Sequence, residues 1–312
     1  MRAVVTITLN PTIDMATSVG RLTPVRKLRC TAARRAPGGG GINVARVILK
    51  LGGNVTAIFP MGGATGQLLR HMVDTSGIRS IAFPTADESR VSFTVVENET
   101  GDEYRFVLPG PSLSDSEWRQ CMQELSGLPN KPDTLVMSGS LPPGVPDDFY
   151  ARIARVAKEW DARLVLDTSG PALAAALTEK LFLIKPNLRE LRELTGQPLE
   201  DEKSWLVACR ALIETGNVAV VALTLGGQGA LLITDHAALR ATAPPIKAVS
   251  AVGAGDSFLG AMVWALSIGL ELEEAFRYGV AAGSAALIAP GAELCCREDI
   301  DRLLPQVTTR SM

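Results

Sequence analysis

Thr134-Leu135-Val136-Met137 and Arg163-Leu164-Val165-Leu166 flank a stretch of helical period, Pro146–Trp160. Both short runs are apolar nearly throughout, as expected of strands covered on both faces. Outward from this unit the alternation continues. Arg2–Leu9, Val55–Phe59, Leu181–Ile184 and Val218–Leu223 read as further core strands. Ile42–Leu51, Gln67–Thr75, Ser116–Leu125, Leu188–Leu194, Ser204–Glu214, Ala254–Ile268 and Leu272–Ile288 read as helices. The expected class is α/β, with a mostly parallel central sheet and helices on both faces. Ligands of such sheets bind beyond the carboxyl ends of the strands.

Two segments break the alternation. Residues 15–35 are polar and extended, with no helical period. Residues 90–108 read as a hairpin: Val91–Val96, a turn at Glu97–Asp102, then Glu103–Leu108. Together they predict a small second sheet, a lid able to close over a substrate and exclude water. A decorated sheet edge is the plainer alternative.

The 312 residues are read as one large domain, 1–312, carrying these lid segments. With 46% hydrophobic residues there is ample material for a buried core. The net charge of −2 gives no global field to recruit nucleic acid or an anionic membrane, so an anionic ligand needs a local cluster of cations. The longest apolar run, Phe258–Leu270, falls short of the roughly 18 residues of a membrane span and reads as a buried helix. The N-terminus alternates like a strand rather than a secretory segment. Cys30, Cys121, Cys209, Cys295 and Cys296 contain no C-x-x-C and fit reduced thiols in a cytoplasm.

Four motifs carry chemistry. Val252-Gly253-Ala254-Gly255-Asp256-Ser257 opens a long apolar helix. Small residues let the backbone approach a ligand, and the first N–H groups of a helix converge on an anion. Asp256 is then either a helix-favouring acid or the base that accepts a hydroxyl proton, with the N–H groups of residues 253–255 as an anion hole. Pro37-Gly38-Gly39-Gly40-Gly41-Ile42-Asn43 suggests a backbone that a ligand touches, with Asn43 suited to a sugar hydroxyl; a flexible turn before a helix reads the same way. Lys185-Pro186-Asn187-Leu188-Arg189-Glu190 places Asn187 and Glu190 on one helix face, either as a cap or as groups around a hydrated Mg²⁺. Thr224-Leu225-Gly226-Gly227-Gln228-Gly229 is a glycine turn between strands, with or without a purine beside it. The fingerprints of P-loop and Rossmann nucleotide binding, G-x-x-x-x-G-K-[ST] and G-x-G-x-x-G, do not occur.

In order and spacing these motifs resemble the PfkB (ribokinase-family) carbohydrate kinases. Gly39–Ala45 with Gly52 and Gly62 resembles the family's N-terminal signature, Ala251–Ser257 the C-terminal one, and Asn187 with Glu190 its N-x-x-E element. Asn10–Asp14, Ser138–Gly144 and Gly291 resemble the phosphosugar branch, and Gly38–Asn43 its 6-phosphofructokinase type; the other two types usually carry Lys at the place of Gly40. The resemblance implies a ribokinase-like three-layer αβα sandwich with a small β-sheet lid. It implies transfer from Mg-ATP to the 1-hydroxyl of fructose 6-phosphate, with tagatose 6-phosphate and fructose 1-phosphate as rival acceptors.

Carried onto this chain, Asp256 is the base. Asp14, Asn43, Gly39, Gly40 and Ser138 hold the sugar. Lys27, Arg29, Arg90 and Arg105 fall on the two lid segments, either as solvated surface cations or as the cluster that a dianionic phosphate needs and a neutral sugar does not; Lys27 and Arg90 match the branch pattern, and Lys27, Arg90 and Arg105 are taken as the phosphate ligands. Lys185, Asn187, Thr224, Gly226, Gly227 and Gly229 contact ATP, and Glu190 acts on Mg²⁺ through water. At Ser250 and Ala251 many family members carry Asp-Thr. A K⁺ ion would then rely on carbonyls around Ser250 and Val252. The resemblance also implies a homodimer paired through the lid. A non-catalytic sugar-phosphate sensor is the rival of another class, and the joint presence of Asp256, the glycines and Glu190 argues against it.

Overall fold

The computed structural model describes residues 2–289 and 293–312; Gly291, a mark of the phosphosugar branch, lies outside the described residues. The first half of the chain runs β1 (Val4–Ile7), β2 (Thr12–Val19), β3 (Arg34–Gly38), α1 (Gly40–Lys50), β4 (Val55–Gly62), α2 (Gly63–Thr75), β5 (Arg79–Thr85), β6 (Arg90–Glu97), β7 (Glu103–Val107), α3 (Asp115–Ser126) and β8 (Thr134–Ser138). The second half runs α4 (Phe149–Ala157), β9 (Arg163–Asp167), α5 (Gly170–Ala176), β10 (Leu181–Ile184), α6 (Leu188–Thr195), α7 (Glu202–Glu214), β11 (Val218–Thr224), β12 (Ala230–Ile233), β13 (Ala238–Thr242), α8 (Ala254–Ser267), α9 (Leu272–Ile288), α10 (Arg297–Leu303) and β14 (Thr308–Ser311).

The large sheet has the order β14-β13-β12-β11-β10-β9-β8-β1-β4-β5. From β5 to β11 all neighbours are parallel, and β12, β13 and β14 extend the sheet antiparallel. Successive strand residues point to opposite faces. Val4 and Val136 enter the core beneath α1, α8 and α9, while Val5, Leu135 and Met137 enter the other core with α3, α4 and α7. Each fully buried side chain of this size contributes about 1.5–3 kcal/mol of transfer free energy. That is why the central strands read as continuous apolar runs.

The expected strands and helices all form. The strands that periodicity missed include β12 and β13, which follow β11 in the sheet, and the two edge strands. β5 closes one end of the sheet and contains Pro84, and β14, a polar Thr-Thr-Arg-Ser, closes the other.

The small sheet has the order β3-β2-β6-β7. The predicted hairpin is β6 and β7, pinned by Phe93 stacked on Phe106 at 4.8 Å between ring centroids. β2 pairs parallel with β6, setting Thr12 against Arg90 and Asp14 against Ser92. On its other side β2 pairs antiparallel with β3, setting Asp14 against Ala36. The expected extended segment 15–35 is therefore strand only at its two ends.

Helix α8 is buried from Ser257 to Ser267 and packs between α1 and α9. Gly260 permits the α1 contact. A Cβ there would meet Val47 Cβ at 2.7 Å and the Val44 carbonyl at 3.1 Å. Val47 lies one turn after Asn43, and Gly260 one turn after Asp256. The close crossing therefore brings those two side chains to face each other.

Candidate active site

Two adjoining cavities lie beyond the carboxyl ends of the parallel strands. The first, of about 270 Å³, is roofed by the lid and lined by Asp14, Gly39, Gly40, Asn43, Arg90, Arg105, Ser138, Asp167, Glu190, Val252, Gly253 and Asp256, among others. The second, of about 740 Å³, is lined by Lys185, Asn187, Thr224, Gly226, Gly227, Gly229, Ala254 and Gly255, with apolar walls from residues 243–246 and from α9. The first turn of α8 is the seam. Gly253 and Asp256 face one cavity, and Ala254 and Gly255 the other.

Asp256 is recessed at this seam, where Asn43 Nδ2 donates to its Oδ2 at 2.8 Å. Burial raises the Asp256 carboxyl above its usual range, against the Asn43 hydrogen bond and the charge of Lys185; Asp14 adds to the rise. A carboxylate with a raised pKa is a stronger base at neutral pH. Asn43 is itself held, because Arg46 Nη1 donates to its Oδ1 at 3.1 Å and to the Pro37 carbonyl at 2.9 Å. Gly253 caps the helix with φ 72°, a left-handed conformation that suits glycine.

Each glycine of the 38–41 run has its own close neighbour. Gly39 has φ 105°, and a Cβ there would meet Thr8 Cγ2 at 2.8 Å. A Cβ on Gly38 would run into the Asp14 carboxylate. One on Gly40 would run into Ser138 Oγ and lie 2.9 Å from the Gly139 nitrogen, and one on Gly41 would lie 2.6 Å from the Ile7 carbonyl. The run is a set of close backbone approaches, not a flexible turn. Gly38 ends β3 and Gly40 already begins α1.

Burial pushes the Asp14 carboxyl up to about 6, although Arg105, Arg46 and Arg90 pull it down. Arg90 is fixed from the lid side by donating to the carbonyls of Asn10 at 2.9 Å, Leu108 at 3.1 Å and Pro11 at 3.4 Å. Arg105 reaches the same cavity from β7. Lys27 does not. It is exposed on the connection between β2 and β3 and does not line the cavity. Of the expected phosphate cluster, Arg90 and Arg105 line the cavity within one chain.

In the second cavity, Asn187 caps α6 through its Oδ1, which accepts from Glu190 N at 2.9 Å, while Glu190 Oε2 accepts from Asn187 N at 2.9 Å. The pair is thus a capping box, and Glu190 still faces the first cavity. Burial raises Glu190 above the usual carboxyl range, against that hydrogen bond and Lys185. Thr224 sits beside Asn187, donating its N–H to the Pro186 carbonyl at 3.0 Å. Ser250 is buried and its hydroxyl accepts from Val252 N at 3.2 Å; its loop is tied to the end of α9 by Val249 N on the Leu287 carbonyl at 2.7 Å. Val252 lines the first cavity, and Ser250 lines neither.

The sequence reading missed Asp167. It follows the predicted strand Arg163–Leu166 directly and pairs with Lys185 at 3.0 Å. Burial raises the Asp167 carboxyl. Burial also lowers Lys185, but Asp167, Glu190 and Asp256 together outweigh it and lift Lys185 above the usual range. An acid at the carboxyl end of a core strand was the available signal. Nothing marked the apolar walls, which read as core.

The pattern of the pfkB family carbohydrate kinases matches residues 3–299. The chain belongs to that family. It is 46% identical over 299 residues to the ATP-dependent 6-phosphofructokinase isozyme 2 of Mycobacterium tuberculosis, covering 96% of this chain and 88% of the relative. It also resembles solved structures of phosphofructokinase-2 from Escherichia coli, 39% identical, covering 98% of this chain and 99% of theirs. One is in complex with fructose-6-phosphate, at a TM-score of 0.91, and one in complex with potassium, at 0.93. The expected ribokinase-like architecture stands, as does membership among ATP-dependent sugar kinases. Among the described residues no helix is long and apolar enough to cross a membrane.

Proposed function

We propose that the chain transfers the γ-phosphoryl group of ATP to the 1-hydroxyl of fructose 6-phosphate, as one kinase unit with its lid. The observation that carries this reading is the seam. One recessed carboxylate at a helix N-terminus separates a charged cavity of hexose-phosphate size from a larger apolar cavity of nucleotide size. Asp14 and Asn43 receive the sugar hydroxyls, and Arg90 and Arg105 the 6-phosphate. Asp256 takes the proton of the 1-hydroxyl as the new O–P bond forms and the bond from Pγ to the β,γ-bridging oxygen breaks, leaving ADP. The N–H groups of residues 253–255 stabilise the charge on the transferred group. Gly40 supports a fructose 6-phosphate acceptor, because the other two types of the branch usually carry Lys at its place.

Glu190 and Asp167, two carboxyl groups that line the first cavity, are a donor set that suits Mg²⁺ bound largely through phosphate and water. Mg²⁺ supplies neutralisation of the phosphate charge. K⁺ fits carbonyl donors around Ser250 and Val252, a reading supported by the potassium complex of the Escherichia coli relative. The exposed Phe93, Tyr104, Phe106, Val107 and Leu108 support a homodimer paired through the lid.

The test is ADP release from Mg-ATP with fructose 6-phosphate, tagatose 6-phosphate, fructose 1-phosphate, fructose and ribose. Preference for fructose 6-phosphate is expected. Preference for another phosphosugar would retain the mechanism and overturn the acceptor, and activity on neutral sugars alone would overturn the phosphate site. Light scattering after gel filtration tests the dimer.

A further inference from the structure

Arg240 is a charged residue sealed into the sheet, with 8% of its surface exposed. It stands on β13, far along the chain from the motifs above, and it lines neither cavity. Its Nη2 donates to the Gln228 carbonyl at 2.7 Å. Its Nη1 donates to the carbonyl of Ala241 and, at 3.4 Å, to that of Ala230. Its Nε donates to Glu202 Oε1 at 2.9 Å, and the other oxygen of Glu202 is held by Arg310 at 2.7 Å.

Ala230 lines the larger cavity, and Gln228 and Ala241 lie next to residues of its two walls. Gln228 is in the glycine turn, whose Gly226, Gly227 and Gly229 line it. Ala241 is two residues before the segment Ala243–Ile246, which forms the facing apolar wall. The walls touch at their root. Gly229 has φ 97°, and a Cβ there would run into the Ala241 carbonyl and lie 2.9 Å from Ala243 N. A buried guanidinium is costly unless its donors are spent, and these donors are spent across that junction.

We propose that Arg240 is a positioning residue that sets the spacing of the two walls of the nucleotide cavity. The inference rests on reading that cavity as the ATP site. A planar fork can bond both walls at once, whereas an ammonium group cannot reproduce that span.

The test is steady-state kinetics of the full chain with both substrates varied, alongside thermal unfolding. Arg240→Met should raise the KM for ATP about tenfold, because three carbonyls lose a charged donor. The KM for fructose 6-phosphate and kcat should stay within about twofold, the signature of lost uniform binding of one substrate. Arg240→Lys should fall between. An unchanged KM for ATP in folded Arg240→Met overturns the proposal. So does a parallel worsening of both KM values and kcat. If Arg240→Met does not fold, Glu202→Gln substitutes for it. That change weakens only the hold on Nε and should raise the KM for ATP by about two- to threefold; no change overturns the proposal. Gly227→Trp separates the two layers of argument, since a side chain at Gly227 meets open space. If it leaves the KM for ATP unaltered, the nucleotide reading fails and the proposal with it. If it raises that KM while Arg240→Met does not, only the role of Arg240 falls.

Discussion

The two cavities are built by different means. The smaller cavity is lined mainly by polar and charged side chains: Asp14, Asn43, Arg90, Arg105 and Asp256 converge on it from the small sheet, α1 and α8. The larger cavity, proposed for the nucleotide, is lined mainly by backbone and apolar surface, with glycines on one wall and Ala243–Ile246 with α9 on the other. Charged groups fix the position and ionisation of a small polar ligand. Glycine and apolar walls fit a flat ring and leave its phosphates to the helix terminus and Lys185. One cavity should therefore respond to the loss of single charges, and the other to changes of shape.

The largest effect should come at the seam. Asp256→Asn keeps the shape and removes the base, so kcat should fall at least ~100-fold with both KM values little changed. Near-normal turnover would remove Asp256 from the chemistry. Arg105→Ala should raise the KM for fructose 6-phosphate about tenfold, the scale of one charge-assisted hydrogen bond, and leave that for ATP alone. An equal rise in both would erase the contrast between the cavities.

Gly260→Ala probes the spacing of α1 and α8. Overpacking there should lower stability by about 1–3 kcal/mol, read from denaturant midpoints, and should reduce kcat by stretching the Asn43–Asp256 bond. The pH profile sharpens the contrast further. Asp14 has a pKa raised to about 6, so it is charged above that pH and protonated below it. With ATP saturating, kcat/KM for fructose 6-phosphate should fall as pH drops through 6, by about tenfold one pH unit below. A profile flat down to pH 4 would exclude a charged Asp14 from sugar binding. The smallest effect concerns the exposed pair of Arg34 on the lid with Glu293 at 2.9 Å. Glu293→Gln should change stability by less than about 1 kcal/mol, read as a small shift of midpoint.

Much of this contrast was legible in the chain, unevenly. The charged cavity was visible because Arg90 and Arg105 fell on a predicted lid segment and Asn43 followed the glycine run at a helix start. Asp256 and its glycines were visible because a helix start has a local signature. Asn187 and Glu190 were visible too, though the capping box and the exposure of Glu190 to the cavity proved to be compatible roles. Lys27 does not line the cavity within one chain, and a polar connection carries no record of its direction. Asp167 was overlooked because the apolar run ended one residue before it.

The sequence alone determined the layers, since burial on one or both faces of an element is written in its own periodicity. It also determined which helix start could hold an anion. Only the tertiary structure decided that Asn43 meets Asp256 across 213 residues, that Gly260 makes the room for it, and that α9 and Ala243–Ile246 line a cavity. The reason is physical. An apolar side chain facing a nucleotide and one facing the core satisfy the same hydrophobic requirement, and only the packing of distant elements distinguishes them.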